Sequence, residues 1–187
     1  QLRIDFAIHW KLYAAASIGL FPNMPLVYWA AEYIPSGLIS VMFGLSPFFM
    51  ALLGRYLLPE KKLSSQQWFA LAMAITGLFI IFYHQISVGV GAIFGVLLML
   101  ASVSLFSLSG VLVKRYHSGA NPLQQLNGSL ILSMPGFIVC WYFIDGVIPE
   151  TISPKTLYSV LYLAVFGSLV GFMAYFYLLK KISVASV

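Results

Sequence analysis

The sequence has few charged residues: they make up 8% of its 187 residues, whereas an ordinary soluble domain carries roughly 25%. Apolar residues make up 61% of the chain and aromatic residues 16%, and the mean hydropathy is +0.95. This balance excludes a typical soluble globular domain. It predicts an all-α, polytopic bundle of transmembrane helices, in which apolar side chains face lipid as well as one another.

The chain has a single cysteine, Cys140, which excludes an internal disulfide and a thiolate metal cluster. The three histidines lie at the ends of predicted spans, without metal-ligand spacing. A membrane enzyme would need a nucleophile, base or metal set that converges on one leaflet, but the acidic residues and histidines are scattered over both faces. We therefore predict no enzymatic activity, no metal and no cofactor.

Uncharged stretches divide the chain into six predicted spans, because about 20 mainly apolar residues cross the hydrocarbon core. The spans are residues 12–31, 36–58, 63–83, 90–113, 121–144 and 156–179. The run from 63 to 113 has no charged residue and is too long for one crossing. His84, Gln85, Ser87 and Gly89 predict a turn within it.

Basic residues fall almost entirely on one side of this topology. Nine of the ten Lys and Arg residues lie in loops on one side, and only Lys155 lies on the other. Because cytoplasmic loops collect Lys and Arg, residue 1 is predicted to lie on the cytoplasmic side of an inner (plasma) membrane. Topology explains the net charge of +5, so the predicted partner is the lipid bilayer and no nucleic acid is expected. The oligomeric state stays open.

Residues 18–39 and 166–187 form a weak internal repeat in which Gly19 aligns with Gly167. Each copy has an aromatic cluster, then a short polar joint, then small residues that begin the next span. In the predicted topology the two copies cross the membrane in opposite directions. Inverted repeats of this kind are typical of secondary transporters.

Several features then resemble a known family as a set. They are the Ala-x-x-Tyr-Ile joint at residues 30–34, Ser46-Pro47 within a span of small residues, Glu60 at the end of that span, Gly77 in the next span, and VLVKRY at residues 111–116 followed by Asn121-Pro122. In these residues the sequence resembles the EamA-like branch of the drug/metabolite transporter superfamily.

The resemblance implies ten helices in two inverted five-helix repeats with both termini in the cytoplasm. This chain would hold spans three to eight and the first turn of span nine, and we expect it to continue beyond both ends. Residues 1–87 would be the C-terminal part of the first repeat, with three spans. Residues 88–187 would be the N-terminal part of the second, with three spans and the start of a fourth.

The function implied by the resemblance is secondary transport, by an alternating-access carrier or exporter, of a small metabolite or drug across the inner membrane. The alternative from a different class is a six-span protein that oligomerises as a channel or a structural membrane protein without carrier activity. That alternative requires a true start near Gln1 and a true end at Val187, whereas the sequence stops inside an apparent span.

The first predicted span contains Pro22, Asn23 and Pro25 near its middle. The two prolines remove backbone hydrogen bonds and kink the helix. Exposed carbonyls beside the Asn23 amide would suit a polar substrate near the bilayer midplane. The alternative is a kinked helix in which Asn23 bonds to a neighbouring span.

Polar, small and aromatic residues recur at helical spacing in other spans, where they either contact substrate or pack helices together. Gly91 and Gly95 favour close helix packing, and Tyr175, which is deeper in the sixth span than Tyr177, is the aromatic residue favoured for substrate contact. The predicted substrate-binding residues are Asn23, Ser40, Phe43, Ser46, Ser102, Phe106 and Tyr175.

No carboxylate lies in the core of a predicted span, since Glu32, Glu60, Asp145 and Glu150 fall in joints and loops. A core acid would be the usual proton-coupling site. Facilitated exchange, coupling through spans outside this chain, and coupling by polar backbone groups therefore all stay open.

Overall fold

The computed structural model describes residues 6–58, 65–85, 90–117, 119–144, 146–147 and 151–181. Nearly all of these residues are helical and none is in a strand, which confirms the all-α polytopic bundle. The helices are α1 (Phe6–Ile18), α2 (Asn23–Ala30), α3 (Ser36–Phe43), α4 (Ser46–Leu57), α5 (Ser65–Gln85), α6 (Val90–Arg115), α7 (Pro122–Ile144), α8 (Pro154–Tyr162) and α9 (Gly171–Lys181), with a π-helical segment, Leu163–Val170, between the last two. Glu60, Ser87, Gly89, Asp145, Glu150 and residues 182–187 lie outside the described residues.

Four helical stretches among the described residues are long and apolar enough to cross a membrane. They are Ser36–Leu57, Gly91–Arg115, Pro122–Ile144 and Pro154–Lys181, and they coincide with the second, fourth, fifth and sixth predicted spans. The third predicted span coincides with α5, in which Trp68–Gly77 is the apolar stretch.

The first predicted span is two helices rather than one, because α1 ends at Ile18 and α2 begins at Asn23. Pro22 lies in the break and has no N–H to continue the helical ladder. Around it, the N–H of Phe21 donates to the Ser17 carbonyl at 2.7 Å. The predicted proline kink is thus a full break, and it places Asn23 at the first residue of α2.

Helix α6 lies at the centre of the bundle and packs against α1, α2, α3, α4 and α9, while α7 packs against α1 and α9. Two buried apolar clusters meet along α6. Met99 and Val103 join its first half to Met42 of α3, and Val111 joins its second half to Phe176 of α9. The middle of α6 therefore lies between two packed regions.

The predicted close packing is confirmed at Gly95, whereas a Cβ on Gly91 would make only ordinary van der Waals contact. A Cβ added to Gly95 would lie 2.8 Å from Cβ of Tyr33 and 3.4 Å from the Ala30 carbonyl oxygen. A Cβ on Gly91 would lie 3.4 Å from the Tyr33 ring. Only small residues let α6 approach the end of α2 this closely.

Candidate functional site

Asn23 and Ser102 form a buried hydrogen bond between α2 and α6. The Ser102 hydroxyl donates to Oδ1 of Asn23 at 2.6 Å, and neither residue has exposed surface. Nδ2 of Asn23 donates to the Gly19 carbonyl at 2.9 Å, so the amide also partners a backbone group at the break before α2. Ser102 is the thirteenth of 26 residues in α6, which puts this polar pair at half the length of the central helix.

Two further serines of α6 bond to backbone carbonyls of other helices. The Ser107 hydroxyl donates to the Ser46 carbonyl of α4 at 3.2 Å, and the Ser109 hydroxyl donates to the Ala15 carbonyl of α1 at 2.8 Å. With Ser102, three serines of α6 contact three different helices. Such bonds are a usual means of joining helices where water is excluded.

Aromatic rings next to this polar pair link α3, α6 and α9. The ring of Phe106 lies 6.0 Å from that of Phe43, edge to face, and 5.1 Å from that of Tyr175. Phe172 and Phe176 continue the contact along α9, at 6.5 and 5.6 Å from Tyr175. We call Phe43, Phe106 and Tyr175 the central aromatic cluster. The cluster joins one residue of segment 1–87 to two residues of segment 88–187, the two segments expected to belong to different repeats.

The hydroxyl of Tyr175 is buried and has no hydrogen-bond partner among the described residues. It lies over the backbone of α6, since a Cβ added to Gly110 would come within 2.5 Å of it. An unpartnered buried hydroxyl costs about 1–3 kcal/mol. The site therefore contains one buried polar group whose hydrogen-bonding capacity is unused.

The structure places six of the seven residues predicted from sequence in separate contacts along the middle of α6. Asn23 and Ser102 form the polar pair, and Phe43, Phe106 and Tyr175 form the central aromatic cluster. Ser46 is half-buried nearby and contributes its carbonyl to the contact with Ser107. Ser40 lies apart: it is exposed, and its hydroxyl donates to the Ser36 carbonyl of its own helix at 3.1 Å.

Ser107 and Gly110 belong to the same region but are not among the residues predicted from sequence. Ser107 directly follows Phe106 and so falls off the face on which Ser102, Phe106 and Ser109 recur. Gly110 directly follows Ser109 and is one of 15 glycines in the chain. The importance of both depends on which helix lies opposite, which helical spacing does not specify.

Comparison with known proteins supports the assignment of this bundle. A model of the EamA-like transporter family matches residues 3–83 and 93–187. Neither the curated proteins nor the solved structures compared with the chain gave a match. Because the family match spans nearly the whole chain, the protein belongs to the EamA-like transporter family, whose members are integral membrane proteins that transport small molecules.

Proposed function

We propose that the protein is a secondary transporter that moves a small polar or amphipathic metabolite or drug by alternating access. The observation that carries the proposal is the polar pair Asn23 and Ser102, buried at the middle of the central helix, with the unpartnered Tyr175 hydroxyl about two turns further along α6, at Gly110. Polar groups at this depth are expensive, and in transporters they mark the substrate pathway. Helices broken by proline, as at Pro22, commonly line such sites.

Each residue of the site has a distinct role in this proposal. Asn23 and Ser102 exchange their mutual hydrogen bond for bonds to a polar group of the substrate, so the pair stays satisfied whether the site is empty or occupied. Phe43 and Phe106 contact the apolar part of the substrate. Tyr175 adds a hydrogen bond through its hydroxyl, which would gain a partner only with substrate bound.

We further propose that residues 1–87 and 88–187 are parts of two inverted repeats that move against each other. The contact of Phe43 with Phe106 lies where these two parts meet, and Phe106 also contacts Tyr175 within the second part. The two segments matched by the family model leave residues 84–92 between them, and the proposed boundary falls there. Rocking of one part against the other would open the central aromatic cluster to alternate sides.

The proposed orientation places the basic end of the bundle in the cytoplasm, on the inner face of an inner membrane. The basic end is the end at which α6 finishes with Lys114 and Arg115 and α9 finishes with Lys180 and Lys181. Cytoplasmic ends of spans collect such residues. The alternative of a channel has no specific support from the geometry of the described residues.

The test is counterflow in proteoliposomes that contain the full-length protein. Vesicles preloaded with an unlabelled amino acid, nucleoside, sugar or lipophilic cation are given a trace of the same labelled compound. A carrier accumulates label transiently above its equilibrium level and saturates with substrate, whereas a channel only equilibrates it. Equilibration of a compound without overshoot or saturation would refute the carrier mechanism.

Variants then connect transport to the proposed site. Ser102→Ala is expected to raise KM by about tenfold, the effect of losing one well-placed hydrogen bond of about 1.4 kcal/mol. Ser104→Ala is the matched control, because the Ser104 hydroxyl donates to the Leu100 carbonyl of its own helix at 2.7 Å. Ser40→Ala tests whether the site extends along α3. Equal effects of Ser102→Ala and Ser104→Ala on KM would exclude Ser102 from the substrate site.

A further inference from the structure

A polar cavity lies at the basic end of the bundle, about one turn of α6 beyond Gly110 and the Tyr175 hydroxyl. It has a volume of about 190 Å³, and its lining residues are Val113, Lys114, His117, Gln125, Phe176, Leu179 and Lys180. In liquid water one molecule occupies about 30 Å³, so the cavity has room for a tetrahedral oxyanion. The walls come from the end of α6, the residue His117 that follows it, the first turns of α7 and the last turn of α9.

The polar lining includes hydrogen-bond donors and positive charges. Nε2 of Gln125 has no hydrogen-bond partner in the part of the chain that the structure describes, although the residue is only 1% exposed. The Lys180 ammonium donates to the Ala120 carbonyl, which uses one of its three N–H groups. Lys114 contributes a second positive charge, and none of the seven described lining residues is acidic.

We propose that this cavity binds a phosphate-type oxyanion, presented either by the headgroup of an anionic phospholipid or by a soluble phosphate. Lys180 and the Gln125 amide would donate to its oxygens, with Lys114 and His117 at the sides. An oxyanion supplies acceptors and negative charge together, which suits the Gln125 amide, unpartnered among the described residues, and the remaining N–H groups of the Lys180 ammonium. Basic pockets between transmembrane helices on the cytoplasmic side are known to hold lipid headgroups.

The cavity differs from the proposed transport site in chemistry and in position. Phe176 lines the cavity, and its ring lies 5.6 Å from that of Tyr175. An occupied cavity would therefore also fix the C-terminal half of α9. The oxyanion is therefore expected to stabilise the bundle without being the transported compound. Its binding can be measured whether or not the protein carries any substrate.

The experiment measures the Tm of the full-length protein in two arms. In the first, inorganic phosphate is titrated in an uncharged detergent at constant ionic strength, with chloride as the balancing ion. In the second, the protein is placed in phosphatidylcholine bilayers with and without one quarter phosphatidylglycerol. A rise in Tm with phosphate indicates a soluble ligand, and a rise only with phosphatidylglycerol indicates the lipid headgroup. No rise in either arm would overturn the proposal.

Lys180→Gln and Gln125→Leu test the site, and Lys181→Gln is the matched control because it removes an adjacent, exposed charge. The effective anion is the one that raises the Tm, either phosphate or phosphatidylglycerol. The first two variants are expected to bind it about tenfold more weakly, as for loss of one hydrogen bond to a charged group. The control is expected to bind as wild type does. An equal loss in Lys181→Gln would show general charge attraction and contradict a built site.

A measurement on the unaltered protein covers the case in which a variant fails to fold. Acetylation of lysines is followed by mass spectrometry with and without the effective anion. The anion is expected to slow modification of Lys180 at least fivefold relative to Lys181. An unchanged ratio of the two rates on addition of the anion would refute binding at this cavity.

Discussion

The hydroxyl of Ser102 lies 2.6 Å from Oδ1 of Asn23, across 79 positions of the sequence. This bond joins α2, the second helix of the broken first span, to the central helix, and both residues are fully buried. Hydrogen bonds between membrane helices are worth about 0.6 kcal/mol on average and up to about 1.7 kcal/mol. Removal of one partner leaves the other unsatisfied in an apolar interior.

The first prediction concerns this bond and uses a double-mutant cycle. Asn23→Ala, Ser102→Ala and the double variant are unfolded with SDS in mixed micelles, and the free energies of unfolding are compared. We expect a coupling energy of about 0.5–1.5 kcal/mol. The same cycle with Ser104→Ala in place of Ser102→Ala should give almost none, since Ser104 bonds within α6. Similar coupling in both cycles would contradict a specific Asn23–Ser102 bond.

The second prediction concerns Gly110, which lies beneath the Tyr175 hydroxyl. A Cβ at this position would lie 2.5 Å from the hydroxyl oxygen but 3.7 Å from the ring carbon that carries it. Gly110→Ala is therefore expected to lower the free energy of unfolding by about 1–3 kcal/mol. Adding Tyr175→Phe should restore most of the loss, because the second change removes the colliding atom.

Gly77→Ala is the control for this pair, since nothing lies within 4 Å of a Cβ built there. In an exposed helix the change from Gly to Ala adds up to about 1 kcal/mol of stability. Equal destabilisation by Gly110→Ala and Gly77→Ala would contradict the close approach of α9 to α6. Failure of Tyr175→Phe to rescue Gly110→Ala would show that the hydroxyl lies elsewhere.

Tyr175→Phe alone makes a third prediction, which separates stability from transport. Because the hydroxyl has no partner among the described residues, its removal should leave the free energy of unfolding unchanged or raise it by about 1 kcal/mol. The same variant should raise KM for the substrate found by counterflow. A loss of stability with KM unchanged would assign the hydroxyl a structural role instead.

The positions of the spans follow from the sequence because the relevant property is local. A run of about 20 apolar residues crosses the hydrocarbon whatever its neighbours are, and α6 and α7 lie where uncharged runs predict them. The break at Pro22 is local as well, since it follows from a missing N–H. The local sequence around Asn23 is therefore enough to predict Asn23 as a candidate site residue.

The partners of these residues do not follow from the sequence in the same way. In the sequence, Ser40 and Ser102 have similar neighbours, because an aromatic residue follows each of them about one helical turn later. In the structure Ser102 faces α2 while Ser40 is exposed. Lipid is as apolar as a helix interface, so hydropathy does not tell which face of a span is buried. The cavity at the basic end needs the ends of three helices together, which no single motif encodes.

The fourth prediction concerns the orientation of the basic end. In a Cys140→Ala background, which removes the only cysteine in the chain, a new cysteine is placed at Lys155 or at Arg115, both exposed. A membrane-impermeant maleimide added to intact cells should modify the cysteine at position 155. The cysteine at position 115 should react only after permeabilisation. The reverse pattern would invert the proposed topology.

The last prediction concerns His117 at the rim of the basic cavity. Its pKa lies below the ordinary value of 6.5, first because of partial burial and second because of the charge of Lys180. Lys114 and Lys180 are the charged groups that line the cavity with it. Since the unfolded chain takes up the proton more readily, stability should fall as pH drops from 6.5 through the lowered pKa, and this group contributes no change above that window.

A bound oxyanion should oppose this loss, because its negative charge favours protonated His117. Sulfate is the suitable probe, since its charge is constant over this range of pH. The fall in Tm on acidification should therefore be smaller in sulfate than in chloride at equal ionic strength. His117→Gln should remove most of the difference between the two anions, and Lys181→Gln should keep it. Identical pH profiles in sulfate and chloride for the wild-type protein would rule out a soluble oxyanion beside His117.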